Sequence, residues 1–404
     1  MTISRWAFEI LRLALLVFVV EIGVVQADAP PAQGLPSGDP AAVGMDADVL
    51  AGISPAMQKF VDDRQIAGAV TLIARRGQIV HLGAVGLADI AQGTPMTADS
   101  LFVIASMTKP ITATAVLILQ DDGKLSVDDP VIKYLPEFAD AKLNDKPPAR
   151  PITIRDVMTH TAGLAGEQRT ERSLEETVSA IIRRPLAFEP GTKWQYSPGL
   201  NICGRIIEKV SGQPFDEFLT ARIFRPLAMS DTTFRPSEEQ RKRLARIYKT
   251  DAAGALEPAS HWLADDWQDR APNPSGGLYS TAANMARFYQ MVLNGGELAG
   301  TRIISREAVA QMTSVQTGEL RTGFTDGNGW GLGWCVVRQP QGITAMLSPG
   351  TYGHGGAFGT QGWVDPQRQM IFVLMIQRVG LPNSDGSDLR RTLQELAVRA
   401  VRDP

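Results

Sequence analysis

The sequence predicts an α/β (α+β) fold: an antiparallel sheet flanked by N- and C-terminal helices, with an inserted, mostly helical domain. Strand-like runs of β-branched and apolar residues occur towards both ends of the 404-residue chain, whereas helical patterns dominate its middle. Strands from the two ends must then share one sheet, with the helical part inserted between them. A content of 44% hydrophobic and 21% charged residues is typical of a globular protein with a large core.

Periodicity and turn residues place the individual elements. Proline is tolerated only in the first turn of a helix and glycine is a common stop signal, so a helix is expected between Pro110 and Gly123. Arg76-Gly77 separates two strand-like runs and predicts an antiparallel hairpin. The complete pattern predicts a helical region at 46–63, strands at 68–75 and 78–83, helices at 111–119, 152–159, 174–183, 200–210 and 282–293, strands at 331–338, 359–364 and 370–377, and a last helix at 388–401.

The first 27 residues are typical of an export signal. Arg5 and Arg12 precede an apolar run at 13–20, and Val25-Gln26-Ala27 offers a small-residue cleavage site. The run is short for a membrane span, so we expect a periplasmic or secreted protein with no stable membrane segment after cleavage. The predicted organisation is a signal peptide at 1–27, a flexible leader at 28–44, a sheet domain formed by 45–124 and 272–404, and a helical domain at 125–271.

Composition argues against several classes of function. The net charge of −3 disfavours a nucleic-acid-binding protein. The histidines at positions 81, 160, 261 and 354 are far apart and no cluster has metal-ligand spacing, so neither a metal nor another cofactor is expected. Cys203 and Cys335 each lie in an apolar segment, which favours two buried free thiols, although an exported protein could pair them.

One short motif contains a candidate nucleophile. Ser106 and Lys109 stand three residues apart at the head of an apolar segment, so a helix would place the hydroxyl and the amine on the same face. A serine at a helix N-terminus also lies where backbone N–H groups favour a developing negative charge. Taken alone, the motif fits a capping serine followed by a solvated lysine equally well.

Two further segments could complete an acyl-transfer site. Tyr196 lies in a turn that leads into a helix, and a phenol paired with lysine can act as a base because the nearby cation lowers its pKa. Segment 352–359 is rich in glycine, contains His354 and would allow a backbone N–H to approach a ligand closely. Taken singly, the tyrosine could instead cover an apolar contact between two elements, and the glycines could form an ordinary β-turn.

Together these motifs resemble the serine β-lactamase and penicillin-recognising superfamily. Ser106-x-x-Lys109, Trp194-Gln195-Tyr196-Ser197 and His354-Gly355-Gly356 occur in the order found in that family, and the connecting motifs at 158–164, 274–281 and 330–334 agree with it. The match covers nearly all of residues 45–400. Its motifs are closest to the class C-like branch, and within that branch to the family VIII carboxylesterases.

The resemblance implies a β-lactamase/transpeptidase-like fold and a role for each matched residue. Ser106 would be the acylated nucleophile, Lys109 would hold the proton network and keep Tyr196 ionised or poised, and Tyr196 would take the serine proton. The backbone N–H groups of Ser106 and Ala357 would form the oxyanion hole. The substrate-binding segment would consist of His354, Gly355 and Gly356.

Two departures from the family pattern concern the substrate. Pro198 stands where class C enzymes have an asparagine, and His354 stands where they have a lysine that attracts a substrate carboxylate. Both changes weaken recognition of an anionic lactam. The sequence therefore predicts an exported serine hydrolase that cleaves small-molecule esters through a Ser106 acyl-enzyme, with amides as the other substrate class.

Several alternatives stay open at this point. The same site could hydrolyse β-lactams or D-alanyl peptides, as a carboxypeptidase or aminopeptidase does, or the chain could be a silent relative that binds peptidoglycan or a partner. Asn201 could supply a substitute for the missing amide, although a position on the helix surface is the simpler interpretation. His160 lies in a Thr-His-Thr-Ala-Gly context and is expected to be structural rather than catalytic.

Overall fold

Residues 35–265, 268–381 and 385–403 are described by a computed structural model of the chain. The predicted signal peptide and the first part of the leader lie outside these residues. The strands are β1 (Gly68–Arg75), β2 (Gln78–Asp89), β3 (Thr94–Pro95), β4 (Phe102–Val103), β5 (Tyr248–Thr250), β6 (Leu256–Pro258), β7 (Tyr279–Ser280), β8 (Glu297–Leu298), β9 (Thr301–Arg302), β10 (Asn328–Trp330), β11 (Cys335–Val337), β12 (Tyr352–Gly355), β13 (Gln361–Asp365) and β14 (Met370–Met375).

Most of the helices lie between the two groups of strands that come from the ends of the chain. They are α1 (Ala47–Ala51), α2 (Ile53–Asp62), α3 (Thr108–Asp121), α4 (Ile154–Met158), α5 (Leu174–Ile182), α6 (Gly199–Ser211), α7 (Phe215–Leu219), α8 (Glu238–Arg241), α9 (Trp262–Asp265), α10 (Ala282–Leu293), α11 (Arg306–Thr313) and α12 (Asp388–Arg399). Short 3-10 turns occur at Ala41–Val43, Ala105–Met107, Val131–Lys133, Pro136–Asp140 and Gly342–Thr344, and a π-turn occurs at Thr220–Phe224.

Strands from the two ends of the chain meet in one sheet. Among the described residues, eight strands pair in the order β10-β11-β12-β13-β14-β1-β2-β3, and every neighbouring pair is antiparallel. The join lies between β1 and β14, where Val70 stands opposite Met375 and Arg75 opposite Met370. This arrangement confirms the predicted fold class and the predicted hairpin, whose second strand extends to Asp89.

Helices cover both faces of the central strands, which explains why β1 is buried along its whole length. Alternate side chains of β1 point to opposite faces. Ile73 belongs to the apolar layer formed with α1, α2 and α12, whereas Leu72 belongs to the larger layer that contains α3 and α10. A strand covered on both sides favours a nearly continuous apolar run, and segment 68–75 has one that only Thr71 and Arg75 interrupt.

Helix α3 lies at the centre of the molecule. Its residues from Thr108 to Leu119 are all buried, as expected for a helix that is apolar on every side. The predicted helix is therefore present, but it begins at Thr108, ahead of Pro110. Ser106 precedes it in the 3-10 turn Ala105–Met107, so the nucleophile candidate lies just before the helix rather than within it.

Two local predictions near the site, a strand at 331–338 and a turn at 352–359, were each right for only part of the segment. The run at 331–338 forms a tight turn at 331–334 followed by β11, because Gly333 adopts a φ of 75° and its N–H donates to Met158 O over 3.0 Å. A Cβ at Gly333 would lie 2.6 Å from the Cβ of Ala113, so the turn can pack on α3 only with glycine there. The glycine-rich segment 352–359 begins as strand β12, and its turn follows at 356–360.

Arg75 ties the two ends of the described chain to the sheet. Its buried guanidinium donates to Val43 O and Gly44 O, each over 2.9 Å, and to the Asp403 carboxylate over 2.6 Å. The neighbouring Arg76 side chain is exposed and pairs only with Asp403, at 2.9 Å, among the ion pairs of the described residues. Within those residues no helix is long and apolar enough to cross a membrane.

The division into a sheet domain and a helical domain stays a prediction. All of the described residues fall within one compact unit. Residues 125–271 are mostly helix and loop, as expected, but they also contain the small hairpin formed by β5 and β6.

Candidate active site

The hydroxyl of Ser106 and the amine of Lys109 meet at the start of α3. The Lys109 Nζ lies 3.2 Å from Ser106 Oγ, as the three-residue spacing predicted. Lys109 is fully buried, whereas Ser106 is partly exposed. A substrate can therefore reach the hydroxyl but not the amine behind it.

Lys109 is held by two carbonyl oxygens besides the serine. Its Nζ donates to Gln168 Oε1 over 2.8 Å and to the backbone carbonyl of Ser275 over 2.7 Å. Burial lowers the pKa of the Lys109 amine well below its ordinary value, which favours the neutral form. A neutral amine has two N–H groups and one lone pair. Since the two carbonyls engage both N–H groups, the lone pair is left to face Ser106 Oγ.

Tyr196 completes the group. Ser106 and Gln168 lie close enough to its hydroxyl to favour the ionised form, and the Lys109 Nζ lies 4.6 Å from the centroid of its ring. Burial raises the pKa of the Tyr196 phenol, and this effect outweighs the contacts that favour the ionised form. The substrate-free site therefore favours a neutral phenol beside a neutral amine, which corresponds to the poised form of the ionised or poised tyrosine that the family resemblance implied.

His160 positions the turn that carries Tyr196. Its backbone has a φ of 62°, and its carbonyl accepts from the Gln195 N–H over 3.0 Å. The ring Nδ1 accepts from the Ser197 N–H over 3.2 Å, which places the ring proton on Nε2. The imidazole also packs against the Tyr196 ring, with 4.6 Å between centroids. These contacts support the structural interpretation of His160 and leave it no hydrogen bond to Ser106 or Lys109 among the described residues.

The glycine-rich turn after β12 lies against the Ser106 segment. A Cβ on Gly356 would lie 2.6 Å from Ile104 O and 2.0 Å from Thr360 Oγ1, so glycine permits this close approach. The next residue, Ala357, is exposed, and its N–H makes no hydrogen bond to a backbone carbonyl within the described part of the chain. It is thus free to donate a hydrogen bond to a ligand oxygen beside Ser106, as an oxyanion-hole donor does.

His354 presents a neutral ring at the site. It is buried on β12, its Nδ1 lies 2.6 Å from Gly355 O, and its Nε2 has no hydrogen-bond partner among the described residues. The short contact to a carbonyl places the ring proton on Nδ1 and leaves Nε2 as a bare acceptor. Burial, reinforced by the nearby Lys109, lowers the pKa of His354 to about 3. A neutral ring at this position agrees with the expectation that the site has no cation here.

An amide network that the sequence patterns did not reveal surrounds Lys109. Asn201 was expected on the surface of its helix, but it is fully buried: its Nδ2 donates to Gln168 O over 2.9 Å and its Oδ1 accepts from the Ser275 N–H over 3.1 Å. Asn273 makes the same pair of contacts, at 2.6 and 2.9 Å. A polar residue inside the apolar run 200–207 was the available signal, because a buried amide must find partners.

Aromatic rings form the wall of the site beyond Tyr196. Phe324 is 50% exposed, and its ring meets that of Tyr196 edge-on at 5.2 Å and that of Trp194 at 6.1 Å. Trp330 lies behind them, fully buried, at 5.1 Å from Trp194. The open side of the cleft next to the tyrosine is therefore apolar.

The two cysteines are buried free thiols, which was the favoured alternative. Burial raises the pKa of both Cys203 and Cys335, so neither is a reactive thiolate. The described residues also contain no group of histidine, cysteine and acidic side chains that could hold a metal ion.

A serine, a lysine and a tyrosine that converge beside an exposed backbone N–H define a serine hydrolase of the acyl-transfer type. The chain belongs to the Beta-lactamase family, whose profile matches residues 53–397. The fold agrees: the structure of EstCE1, described as a hydrolase with promiscuous acyltransferase activity, superimposes with a TM-score of 0.76 at 25% identity, covering 88% of this chain and 99% of EstCE1.

Curated relatives include both esterases and penicillin-binding proteins. The chain is 31% identical to esterase EstB of Burkholderia gladioli over 363 residues, which cover 81% of this chain and 90% of EstB. It is 34% identical to penicillin-binding protein 4 of Amycolatopsis lactamdurans over 306 residues, or 74% and 77% of the two chains. The recognised family, the fold class and the serine hydrolase class are thereby confirmed, whereas the comparisons do not select one substrate.

Proposed function

We propose that this protein is an exported carboxylesterase that cleaves small esters through an acyl-enzyme on Ser106. The observation that carries the proposal is the Lys109 amine, 3.2 Å from Ser106 Oγ, with both of its N–H directions engaged by carbonyls. Such an amine can receive the hydroxyl proton directly. The exported location rests on the N-terminal sequence pattern alone.

Acylation would proceed as follows. Lys109 accepts the Ser106 proton while Oγ forms a bond to the ester carbonyl carbon, and the carbonyl oxygen gains negative charge beside the N–H groups of Ser106 and Ala357. One such donor typically supplies about 3–4 kcal/mol of transition-state stabilisation. The bond to the alcohol oxygen then breaks, and the proton passes through the Tyr196 hydroxyl to the leaving oxygen.

Deacylation reverses the proton path. A water molecule gives its proton to the Lys109–Tyr196 pair and attacks the acyl carbon, and the proton returns to Ser106 Oγ as the acid leaves. The family resemblance gave Tyr196 the first proton transfer. Its phenol is partly buried and its pKa is raised, which instead favours Lys109 as the first acceptor and Tyr196 as the relay, although the pair titrates as one unit.

The charge of the binding segment supports a neutral substrate. His354 is neutral and offers a bare Nε2 acceptor, so it cannot form an ion pair with a substrate carboxylate. Pro198 offers no amide for a lactam. The apolar wall at Phe324 adds contact for a neutral group, and two relatives are themselves an esterase and a hydrolase with acyltransferase activity.

The test is the ratio of kcat/KM for p-nitrophenyl butyrate to that for a chromogenic cephalosporin, with Ser106→Ala as the blank. We expect a ratio far above one and no activity in the blank. A ratio at or below one would favour β-lactam or D-alanyl peptide hydrolysis, and the similarity to penicillin-binding protein 4 would then be the more informative one. A Ser106→Ala protein that keeps its activity would refute the nucleophile.

A further inference from the structure

We propose that Gln168 is a positioning residue for activation of Ser106: its amide joins Lys109 to Tyr196 and keeps the lysine lone pair on the serine hydroxyl. The inference rests on the acyl-enzyme part of the proposed function, but it holds for any acyl substrate, ester or lactam. Neither the sequence motifs nor the family comparison assigns a role to this loop residue.

The two ends of the Gln168 amide face two different groups of the site. Its Oε1 accepts from Lys109 Nζ over 2.8 Å. The amide NH2 is then the end left to face the Tyr196 hydroxyl, whose ionised form Gln168 favours. One planar side chain thereby sets the distance and the orientation between the proton acceptor and the proton relay.

Two asparagine side chains fix the backbone of Gln168 and thereby the position from which its side chain extends towards Lys109. The Gln168 carbonyl accepts from the side-chain amides of both Asn201 and Asn273, and the oxygens of the same two amides accept from the Ser275 N–H. Gln168 and Ser275 supply the two carbonyl oxygens that hold Lys109 Nζ. Since two amides bridge these residues, the two acceptors around the amine cannot move apart independently.

Gln168 also supplies the side-chain amide that the site lacks at residue 198. Pro198 stands at the position where class C enzymes carry an asparagine, and it has no polar side chain. Asn201, the sequence candidate for a substitute, does not contact Lys109 but holds the main chain of Gln168. The amide therefore comes from a different loop, around residue 168, with Asn201 as its support.

The titratable groups around Lys109 make a clean pH test possible. Tyr196, His160 and His354 face it from three different elements, and burial lowers the pKa of both histidines, so they stay neutral. The charge of Asp385 contributes to the raised pKa of the Tyr196 phenol. No carboxylate of the described residues forms an ion pair with Lys109. A carboxylate introduced at residue 168 would be the first one in contact with the amine.

The experiment measures the rate at which a fluorophosphonate labels Ser106, as a function of pH, in the full chain. In Gln168→Glu the new negative charge raises the pKa of Lys109, so the acidic limb of the labelling rate should move up by about one pH unit. Labelling below that limb should fall about tenfold. In Gln168→Met, which removes the acceptor without adding charge, labelling should slow about tenfold at every pH with no upward shift of the limb.

Gln195→Glu is the matched control, because Gln195 is exposed, adjoins Tyr196 in sequence and does not contact Lys109. Its acidic limb should coincide with that of the wild type. Equal limbs in Gln168→Glu and Gln195→Glu would overturn the proposal, as would a wild-type protein that is not labelled at all. A labelled wild type that hydrolyses no ester would refute the ester assignment while the Gln168 shift still stands. Thermal unfolding of each variant separates loss of fold from loss of activation.

Discussion

At the residue scale, His354 places an uncharged ring in the predicted substrate-binding segment. Its Nδ1 proton is engaged by the Gly355 carbonyl and burial lowers its pKa to about 3, which favours the neutral ring at neutral pH. In His354→Lys a cation would stand in the binding segment. A charged hydrogen bond to a substrate carboxylate contributes about 1.5–3 kcal/mol, which corresponds to a preference change of about tenfold or more.

The measurement for His354→Lys is the ratio of kcat/KM for p-nitrophenyl hemisuccinate to that for p-nitrophenyl butyrate. We expect this ratio to rise at least about tenfold over the wild type. His354→Asn, which stays neutral, is the control and should leave the ratio near its wild-type value. An unchanged ratio in the lysine variant would mean that the carboxylate of the substrate does not approach residue 354.

The residues of the site were predictable to different degrees. Ser106 and Lys109 could be paired from their spacing, because a helical turn fixes their separation. Tyr196 could be placed only through the order of the family motifs, since it lies far along the chain. Gln168 could not be found, because its role depends on a clamp formed by Asn201 and Asn273, which no local pattern connects to it.

At the scale of elements, helix α4 leads directly into the turn that contains His160. The start of this helix is stabilised by Asp156. The Asp156 carboxylate accepts from the Thr153 N–H over 2.9 Å in a capping box and from both ends of the Arg150 guanidinium at 2.6 and 2.9 Å. Burial alone would raise the pKa of Asp156, but the Arg150 and Thr153 contacts outweigh it and lower the pKa below the ordinary 3.8. The ionised form therefore stabilises the fold.

Because the folded pKa is lowered, this stabilisation is present above the ordinary pKa and disappears as the pH falls through the folded value. Asp156→Asn should cost about 1–2 kcal/mol of unfolding free energy at neutral pH. The difference from the wild type should shrink as the pH falls below about 4. Urea unfolding at several pH values measures both. Asp128→Asn, which removes a more exposed partner of Arg155, is the control, and an equal loss there would contradict the argument.

The elements themselves were predicted best where one periodicity dominates. Helix α10 was predicted with its observed bounds, since its apolar stripe is bracketed by a Thr281 cap and by Asn294. Strand β12 was missed because glycines, which disfavour strands, leave it without a strand-like composition. The turn at 331–334 was missed because the apolar residues on either side of Gly333 read as one continuous strand.

At the scale of the whole molecule, Arg75 joins the sheet to both ends of the described chain. Its replacement by methionine keeps the apolar stem but leaves the Val43 and Gly44 carbonyls without their donor. Unsatisfied buried groups cost about 1–3 kcal/mol each, so Arg75→Met should lower the unfolding free energy by about 2–4 kcal/mol. Guanidinium unfolding measures the loss. Arg76→Met, which removes only the exposed pair with Asp403, should lose much less, and equal losses would refute a special role for Arg75.

For most of its synthesis, a chain still on the ribosome lacks the parts of the site that are needed to form an acyl-enzyme. Ser106 and Lys109 are made early, yet β1, which precedes them, pairs with β14, more than 300 residues later. His354 and Ala357 also belong to that late part of the chain. Contacts between segments so distant in sequence form slowly, and they cannot form before the late strands have been synthesised. A chain interrupted before β14 therefore carries Ser106 and Lys109 without the late strands and without the Ala357 N–H that would complete the site.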